Sequence, residues 1–210
     1  MSKTLIFILL TLSIHSYAQD EKSNEILQQL SINTKAYKNI DVDFDFNFEN
    51  KTQKISENQK GNIKINATKF RLELNQQIII SDDTTQWIYL KESNELQIME
   101  YDSLDDMISP NKLFTIYEEG YKNSYVELKN ESDITLHIID LFPIESNAFQ
   151  KIQLQINSEK IQLHNIILFD KNGGSFTYLI TKFTTDAILD DKLFKFDTAE
   201  YPEIEIIDLR

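Results

Sequence analysis

The side chains in this sequence that could carry chemistry are, first, its acidic doublets. They occur at Asp82-Asp83, Asp105-Asp106, Glu118-Glu119 and Asp190-Asp191. A glycosidase needs two carboxyl groups that converge across a cleft, whereas adjacent residues on a strand point to opposite faces of the sheet. The chain has 34 acidic residues among 210, so doublets are expected from composition alone. They give no support to acid/base catalysis.

The remaining candidates for metal or calcium chemistry are two histidines and one glycine-containing turn. His137 and His164 fall in separate strand-like segments without an evident partner, so we expect ordinary strand residues rather than zinc ligands. The segment FDKNGGSFTY lacks the spaced acids and the terminal glutamate of a calcium loop, and Gly173 and Gly174 fit a hairpin turn. The chain has no cysteine, which removes thiol catalysis and thiolate metal sites. We therefore predict no enzymatic activity, no cofactor and no metal.

The first residues predict export. In MSKTLIFILLTLSIHSYAQ, one lysine precedes an apolar run from Leu5 to Ile14, and Ser16-Tyr17-Ala18 fits a signal-peptidase site. The run is shorter than the about 20 residues that a transmembrane helix needs. We expect residues 1–18 to be a signal peptide cleaved after Ala18, and residues 19–210 to form one domain. The net charge of −13 leaves no basic footprint for nucleic acid, so we expect no nucleic-acid partner.

The chain after Ala18 begins with a helical period and then changes to a strand period. Three-to-four-residue spacing links Ile26, Leu30, Asn33 or Thr34, and Tyr37, which predicts a helix from Asp20 to Lys38. From Val42 to Phe48 every second residue is apolar and the others are acidic or amide, an alternation that a half-buried strand satisfies. The change of period predicts a helix that packs on a sheet.

The same alternation returns along most of the remaining sequence and predicts about 11 strands. Short loops such as residues 66–68 and 157–160 favour sequential antiparallel hairpins, which together form a meander. A sheet of this size must curl or split, and its apolar face must be covered. The predicted fold class is mainly β with helices (α+β).

Two apolar segments interrupt the strand rhythm and could cover the sheet. In SLDDMISPNKLFTIYEEGYKN, a helix could begin at Ser109 or Pro110, carry Phe114 and Tyr117, and end at Gly120. In DLFPIESNAFQ, a proline follows Phe142 and argues against an interior strand. Together with the N-terminal helix, we expect these segments to form a lid.

Three stretches carry a family resemblance. The longest is GNIKINATKFRLELNQQIIISDDTTQWIYLKESNELQIMEYD, with a glycine-led strand, a strand that carries Phe70, the turn Ser81-Asp82-Asp83, and then Trp87. SPNKLF is similar to a lid segment, and DDKLFKFD is similar to a terminal Phe-x-Phe strand. With the order of elements, these stretches resemble the LolA family of periplasmic carriers of outer-membrane lipoproteins, in its Bacteroidetes-type form.

The resemblance implies an incomplete antiparallel β-barrel closed by a helical lid, around an apolar cavity that receives the acyl chains of lipoproteins. It also implies a periplasmic monomer supplied by an inner-membrane lipoprotein-releasing ABC transporter and delivering to an acceptor at the outer membrane. Many members carry a lid-locking arginine four residues before the position of Phe70, where this chain has Asn66. By strand alternation, Arg71 should point away from the face of Phe70.

On this basis we expect ten residues to bind lipid: Phe44, Phe46, Phe70, Leu72, Trp87, Tyr89 and Ile98 on the sheet, and Phe114, Tyr117 and Phe142 on the lid. Each could instead belong to an ordinary core, because aromatic strand residues mostly pack. A second hypothesis is a half-barrel lipid or lipoprotein sensor, or an interaction module, that works without transport. An enzyme acting on lipid or glycan is a third hypothesis.

Overall fold

The computed structural model describes residues 4–101 and 110–210, with the backbone alone for residues 4–19. The doublet Asp105-Asp106, the expected start of the lid helix at Ser109 and the first three residues of the expected signal peptide lie outside the described residues. One helix, α1, spans Thr4–Ala36 and contains most of the helix expected from Asp20. Among the described residues, no helix combines the length and the hydropathy needed to span a membrane.

Strands make up most of the described chain. They are β1 Ile40–Asn50, β2 Ile55–Asn66, β3 Lys69–Leu74, β4 Gln77–Ser81, β5 Thr85–Leu90, β6 Glu95–Glu100, β7 Tyr121–Glu131, β8 Ile134–Pro143, β9 Phe149–Asn157, β10 Gln162–Asp170, β11 Gly174–Thr185 and β12 Glu205–Asp208. Short 3-10 helices span Pro110–Phe114, Asp191–Phe194 and Thr198–Glu200.

All the described strands belong to one open sheet. Its order is β12-β6-β5-β4-β3-β2-β1-β11-β10-β9-β8-β7, so two antiparallel meanders meet where β1 pairs with β11. Only β12 departs from the antiparallel pattern, because it runs parallel to β6. The prediction of a mainly β, incomplete barrel is confirmed, with twelve described strands in place of about eleven.

The alternating sequence of β1 determines which of its side chains point to the inner and outer faces of the sheet. Val42 is fully buried on the inner face, while Asp41 and Asp43 point outward and both accept hydrogen bonds from the Asn62 side chain, at 2.8 and 2.7 Å. Lys64 on β2 adds an ion pair with Asp41 at 3.3 Å. Along β1 and β2 the outer face is therefore polar and paired, and the inner face carries the apolar side chains.

Helix α1 covers the half of the inner face that is built from β7 to β10. Ile26, Leu27 and Leu30 are buried in the main core beneath it. The fully buried Ser23 hydroxyl donates a hydrogen bond to the Asn123 side chain on β7 and lies 2.9 Å from the Asp20 carbonyl. These contacts fix α1 over one half of the sheet, and α1 does not extend over the other half.

Two elements differ from the sequence prediction. The expected lid helix is a single 3-10 turn, Pro110–Phe114, because the following Ile116 and Tyr117 pack into the core instead of continuing a helix. The terminal Phe-x-Phe strand expected in DDKLFKFD begins instead as the 3-10 helix Asp191–Phe194, whose N-cap Asp190 accepts a hydrogen bond from the Lys192 amide at 3.0 Å. The capping carboxylate favours a helical turn at this position over a strand.

Candidate binding cavity

An apolar cavity of about 540 Å³ lies against the inner face of the half of the sheet that α1 leaves uncovered. This volume falls within the range of about 300–1,000 Å³ that is typical of small-molecule sites. Most of the lining side chains are apolar and come from β1 to β6, β10, β11 and the 3-10 turn. They are Val42, Phe44, Phe46, Ile63, Phe70, Leu72, Leu74, Ile79, Ile88, Met99, Pro110, Leu113, Phe114, Ile166, Phe176 and Ile180.

The middle of the cavity wall is one continuous row of aliphatic side chains. Across neighbouring strands, Ile63 lies opposite Leu72, Leu72 lies opposite Ile79, and Ile79 lies opposite Ile88. Leu72, Ile79 and Ile88 are only half-buried, although their faces point into the barrel. These side chains keep apolar area free for a ligand instead of burying it against the protein.

One end of the wall carries aromatic and polar side chains. Gln59, Phe46 and Tyr178 occupy one row across β2, β1 and β11, and the rings of Phe46 and Tyr178 are 5.1 Å apart. Burial raises the pKa of Tyr178 to about 12. Gln77 also lines the cavity, at the start of β4. At the other end, the Gln86 amide nitrogen lies 3.7 Å from the sulfur of Met99.

Gly61 on β2 makes room for one of the lining rings. A side chain there would collide with the ring of Phe44 and would come within 2.9 Å of Leu74. Gly61 lies directly opposite Phe44 and Leu74 in the two neighbouring strands. The glycine therefore allows the Phe44 ring to pack against β2 and form part of the wall.

The contacts that hold the 3-10 turn Pro110–Phe114 against the sheet include a side-chain hydrogen bond and aromatic packing. The Asn111 side chain donates to the Thr68 carbonyl at 3.1 Å, and the rings of Phe114 and Phe183 meet edge to face at 6.0 Å. Thr68 lies in the turn between β2 and β3, directly after Asn66. In this chain a backbone carbonyl of that turn meets the lid segment.

The structure brings together five of the ten lipid-binding residues expected from the sequence. Phe44, Phe46, Phe70, Leu72 and Phe114 all line the cavity. Phe70 is fully buried, so it also belongs to the structural core. Arg71 points to the opposite face, as expected, and its guanidinium meets Glu73 at 2.6 Å and the Leu193 carbonyl at 3.4 Å.

Trp87, Tyr89 and Ile98 were expected on the same face, and this placement is wrong. Because Ile79 pairs with Ile88, the neighbouring Trp87 and Tyr89 must project from the other side of the sheet. There they form a second cluster with Ile78, Ile80, Leu96, Phe196, Tyr201 and Ile204. The C-terminal segment covers this cluster, and the Tyr89 ring lies 4.6 Å from that of Tyr201.

Tyr117 and Phe142, both expected on the lid, lie away from the cavity lining. Tyr117 is buried in the main core, and its hydroxyl donates to the Thr34 hydroxyl on α1 at 3.3 Å. Burial is the main cause that raises its pKa to about 12. Phe142 lies near the end of β8 with 43% of its surface exposed. Tyr117 therefore anchors α1, and Phe142 lies on the outer surface.

The sequence prediction missed several lining residues, among them Gln77, Ile79 and Ile88. A signal for them was present in the β3–β4 hairpin, whose loop is only Asn75 and Gln76. A two-residue loop fixes the register, so Gln77 and Ile79 must share the face of Leu74 and Leu72. For Phe176, Tyr178 and Ile180 the sequence held no such signal, because β11 pairs with the distant β1.

The structure thus defines an incomplete β-barrel around an apolar cavity. The family model described as outer membrane lipoprotein carrier protein LolA matches residues 35–197. The chain therefore belongs to the LolA family. No curated protein matches the sequence.

Solved structures share the fold at low sequence identity. An uncharacterized conserved protein from Thermus thermophilus matches with a TM-score of 0.58 and 12% identity, over 89% of this chain and 99% of that one. A DUF1329 family protein from Desulfovibrio piger matches with a TM-score of 0.50 and 8% identity, over 84% and 97%. A LolA superfamily protein from Nitrosomonas europaea matches with a TM-score of 0.44 and 12% identity, over 77% and 91%. The first two establish the likeness of fold.

Proposed function

We propose that this protein is a periplasmic carrier that binds the acyl chains of lipoproteins in its cavity and moves lipoproteins from the inner to the outer membrane. The observation that carries the proposal is the apolar cavity of about 540 Å³ inside a LolA-family half-barrel. In this proposal residues 1–18 are removed as a signal peptide, and residues 19–210 form a single carrier domain. Its donor is an inner-membrane lipoprotein-releasing ABC transporter, and its acceptor lies at the outer membrane.

The wall offers binding energy without covalent chemistry. Each buried methylene contributes roughly 0.8 kcal/mol, so a long acyl chain in contact with Leu72, Ile79 and Ile88 gains many small increments. Those side chains are only half-buried by the protein itself, so binding does not require an existing core to be broken. Leu113 and Phe114 of the lid segment also line the cavity. This arrangement provides a way to release the acyl chain, because a closing lid competes with the ligand for the same apolar surface.

A transfer assay between two sets of vesicles tests the proposal. Donor vesicles contain a fluorescent triacylated lipopeptide, acceptor vesicles contain a quencher, and the protein is added without detergent. We expect transfer by the wild type and its loss in Ile79→Glu, because a carboxylate on the aliphatic row opposes an acyl chain. Ile188→Glu is the matched control, since Ile188 is fully exposed elsewhere. Equal transfer by both variants would contradict the proposal.

The second candidate is a lipid or lipoprotein sensor that acts through a protein partner. It is favoured by exposed apolar side chains on the edge strand β7 and at the end of β8, namely Val126, Leu128, Phe142 and Ile144. This function predicts a stable complex with another protein and no net transfer between vesicles. Binding of the lipopeptide without transfer in the same assay would favour it over the carrier.

A further inference from the structure

Among the described residues, the polar groups that line the cavity are all uncharged. They are the amides of Gln59, Gln77 and Gln86 and the hydroxyls of Tyr101 and Tyr178. Every other lining residue among the described parts of the chain is apolar. The wall therefore offers neutral hydrogen-bond donors and acceptors within an apolar surface.

The end of the cavity near the β3–β4 turn concentrates these groups. Gln59 and Tyr178 flank Phe46 in one cross-strand row, and Gln77 begins β4 directly after the turn. Within the described residues, the side-chain amides of Gln59 and Gln77 make no hydrogen bond to the protein, so both can serve a ligand. We refer to Gln59, Gln77 and Tyr178 as the glutamine end.

Uncharged donors discriminate between kinds of acyl chain. An ester or amide carbonyl accepts a hydrogen bond from a glutamine NH₂ or a tyrosine hydroxyl and carries no charge into the cavity. An ionised carboxylate would exchange its hydration for neutral partners only, and burying a charge without an opposite charge is costly. The same penalty acts on Tyr178, since burial raises its pKa to about 12 and keeps its hydroxyl protonated.

We infer that the cavity selects acyl chains whose polar junction is a neutral ester or amide over ionised fatty acids, with that junction at the glutamine end. The aliphatic row of Leu72, Ile79 and Ile88 then receives the chain itself. This inference rests on the proposed function, because it names the chemical class of ligand for the same cavity.

Competitive displacement of N-phenyl-1-naphthylamine tests the inference at pH 8. The competitors are monopalmitoylglycerol and palmitate, which have the same acyl chain and differ in the charge of the head. We expect the monoglyceride to bind the wild type about tenfold more tightly or better, a difference that corresponds to about 1.4 kcal/mol. Equal affinities, or tighter binding of palmitate, would overturn the inference and leave the proposed function standing.

Variants at the glutamine end sharpen the result. Gln77→Lys places a cation there, so the preference for the monoglyceride should fall at least severalfold, whereas Gln77→Leu should weaken the monoglyceride alone. Gln59→Lys provides a second test if Gln77→Lys lowers the melting temperature. If neither Gln77→Lys nor Gln59→Lys changes the preference for the monoglyceride over palmitate, the glutamine end does not bind the polar junction. If neither competitor nor the lipopeptide binds, the proposed function fails together with the inference.

Discussion

The two halves of the sheet share the same alternating pattern, but their inward apolar side chains have different roles. In the half under α1, Ile152, Leu154 and Ile156 are fully buried. In the other half, Leu72 and Ile79 occupy equivalent inward positions but stay half-buried beside the cavity. The difference lies in the cover, since α1 packs on one half, whereas in the described part of the chain the other half meets only the short 3-10 turn Pro110–Phe114. An inward apolar side chain becomes core or binding wall according to what lies over it.

The largest expected effect separates the two halves by stability. Leu154→Ala removes a fully buried side chain beneath α1 and should lower the free energy of unfolding by about 2–5 kcal/mol. Leu72→Ala removes a half-buried side chain at the cavity wall and should cost roughly 1 kcal/mol. Urea denaturation of both variants measures the contrast. Similar losses would mean that the cavity half is packed as tightly as the helix-covered half.

An alkaline titration examines one tyrosine in each half. Burial raises the pKa of Tyr117 beneath α1 and of Tyr178 at the cavity wall to about 12, so both stay protonated in the folded protein above the usual value of 10. Their contribution to stability is complete below pH 10 and is lost as the pH rises towards 12. At about 1.4 kcal/mol per pKa unit, ionisation of each tyrosine lowers the free energy of unfolding by at most about 3 kcal/mol.

Replacing these tyrosines tests the assignment. Tyr178→Phe and Tyr117→Phe should each make the stability less sensitive to pH between 10 and 12, as followed by thermal unfolding. Tyr117→Phe should also lose some stability at pH 7, because the Thr34 hydroxyl on α1 loses its donor. An unchanged alkaline profile in both variants would show that neither hydroxyl is buried.

A smaller effect is expected where α1 is tied to the sheet. Ser23→Ala removes the fully buried hydroxyl that donates to Asn123 on β7 and should cost about 1–2 kcal/mol. Hydrogen exchange should then quicken in α1 and β7, while the amides of β3 and β4 keep their protection. Uniform loss of protection across both halves would show that the stability of the cavity half also depends on the contact between α1 and β7.

The smallest expected effect concerns the exposed contacts between α1 and the segment before β7. The pKa of Glu118 is lowered overall. Burial alone would raise it, but the hydrogen bond from Ser31 and the ion pair with Lys35 at 2.9 Å together have the larger, opposite effect. Because the pair is exposed, Glu118→Gln should cost less than about 1 kcal/mol at pH 7. The difference from wild type should vanish as the pH falls through the lowered pKa, below the ordinary 4.5. A constant difference down to pH 3 would contradict the electrostatic origin.

The sequence was informative wherever a period or a tight turn decided the geometry. The alternation around Phe44 and Phe46 predicted β1 and its inward face, and the change of period at Tyr37 placed the end of α1 within a few residues. The family resemblance predicted the half-barrel, which the match over residues 35–197 and the open sheet confirm.

The sequence was misleading where both faces of a strand are apolar. On β4, Ile78, Ile79 and Ile80 are consecutive, so hydropathy does not show which of them points inward. Ile79 lines the cavity, whereas Ile78 and Ile80 belong to the C-terminal cluster. The faces of Trp87 and Tyr89 depend on the cover supplied by Phe196 and Tyr201, more than a hundred residues later in the chain. A contact so distant in sequence leaves no local signal.

The most direct test of the central claim is native mass spectrometry of the protein purified from cells without detergent. We expect the wild type and Ile188→Glu to carry a bound acylated species, and Ile79→Glu, with its carboxylate on the cavity wall, to be empty. A wild-type protein that is reproducibly empty, and that stays empty after addition of a triacylated lipopeptide, would contradict the assignment of the cavity to acyl chains.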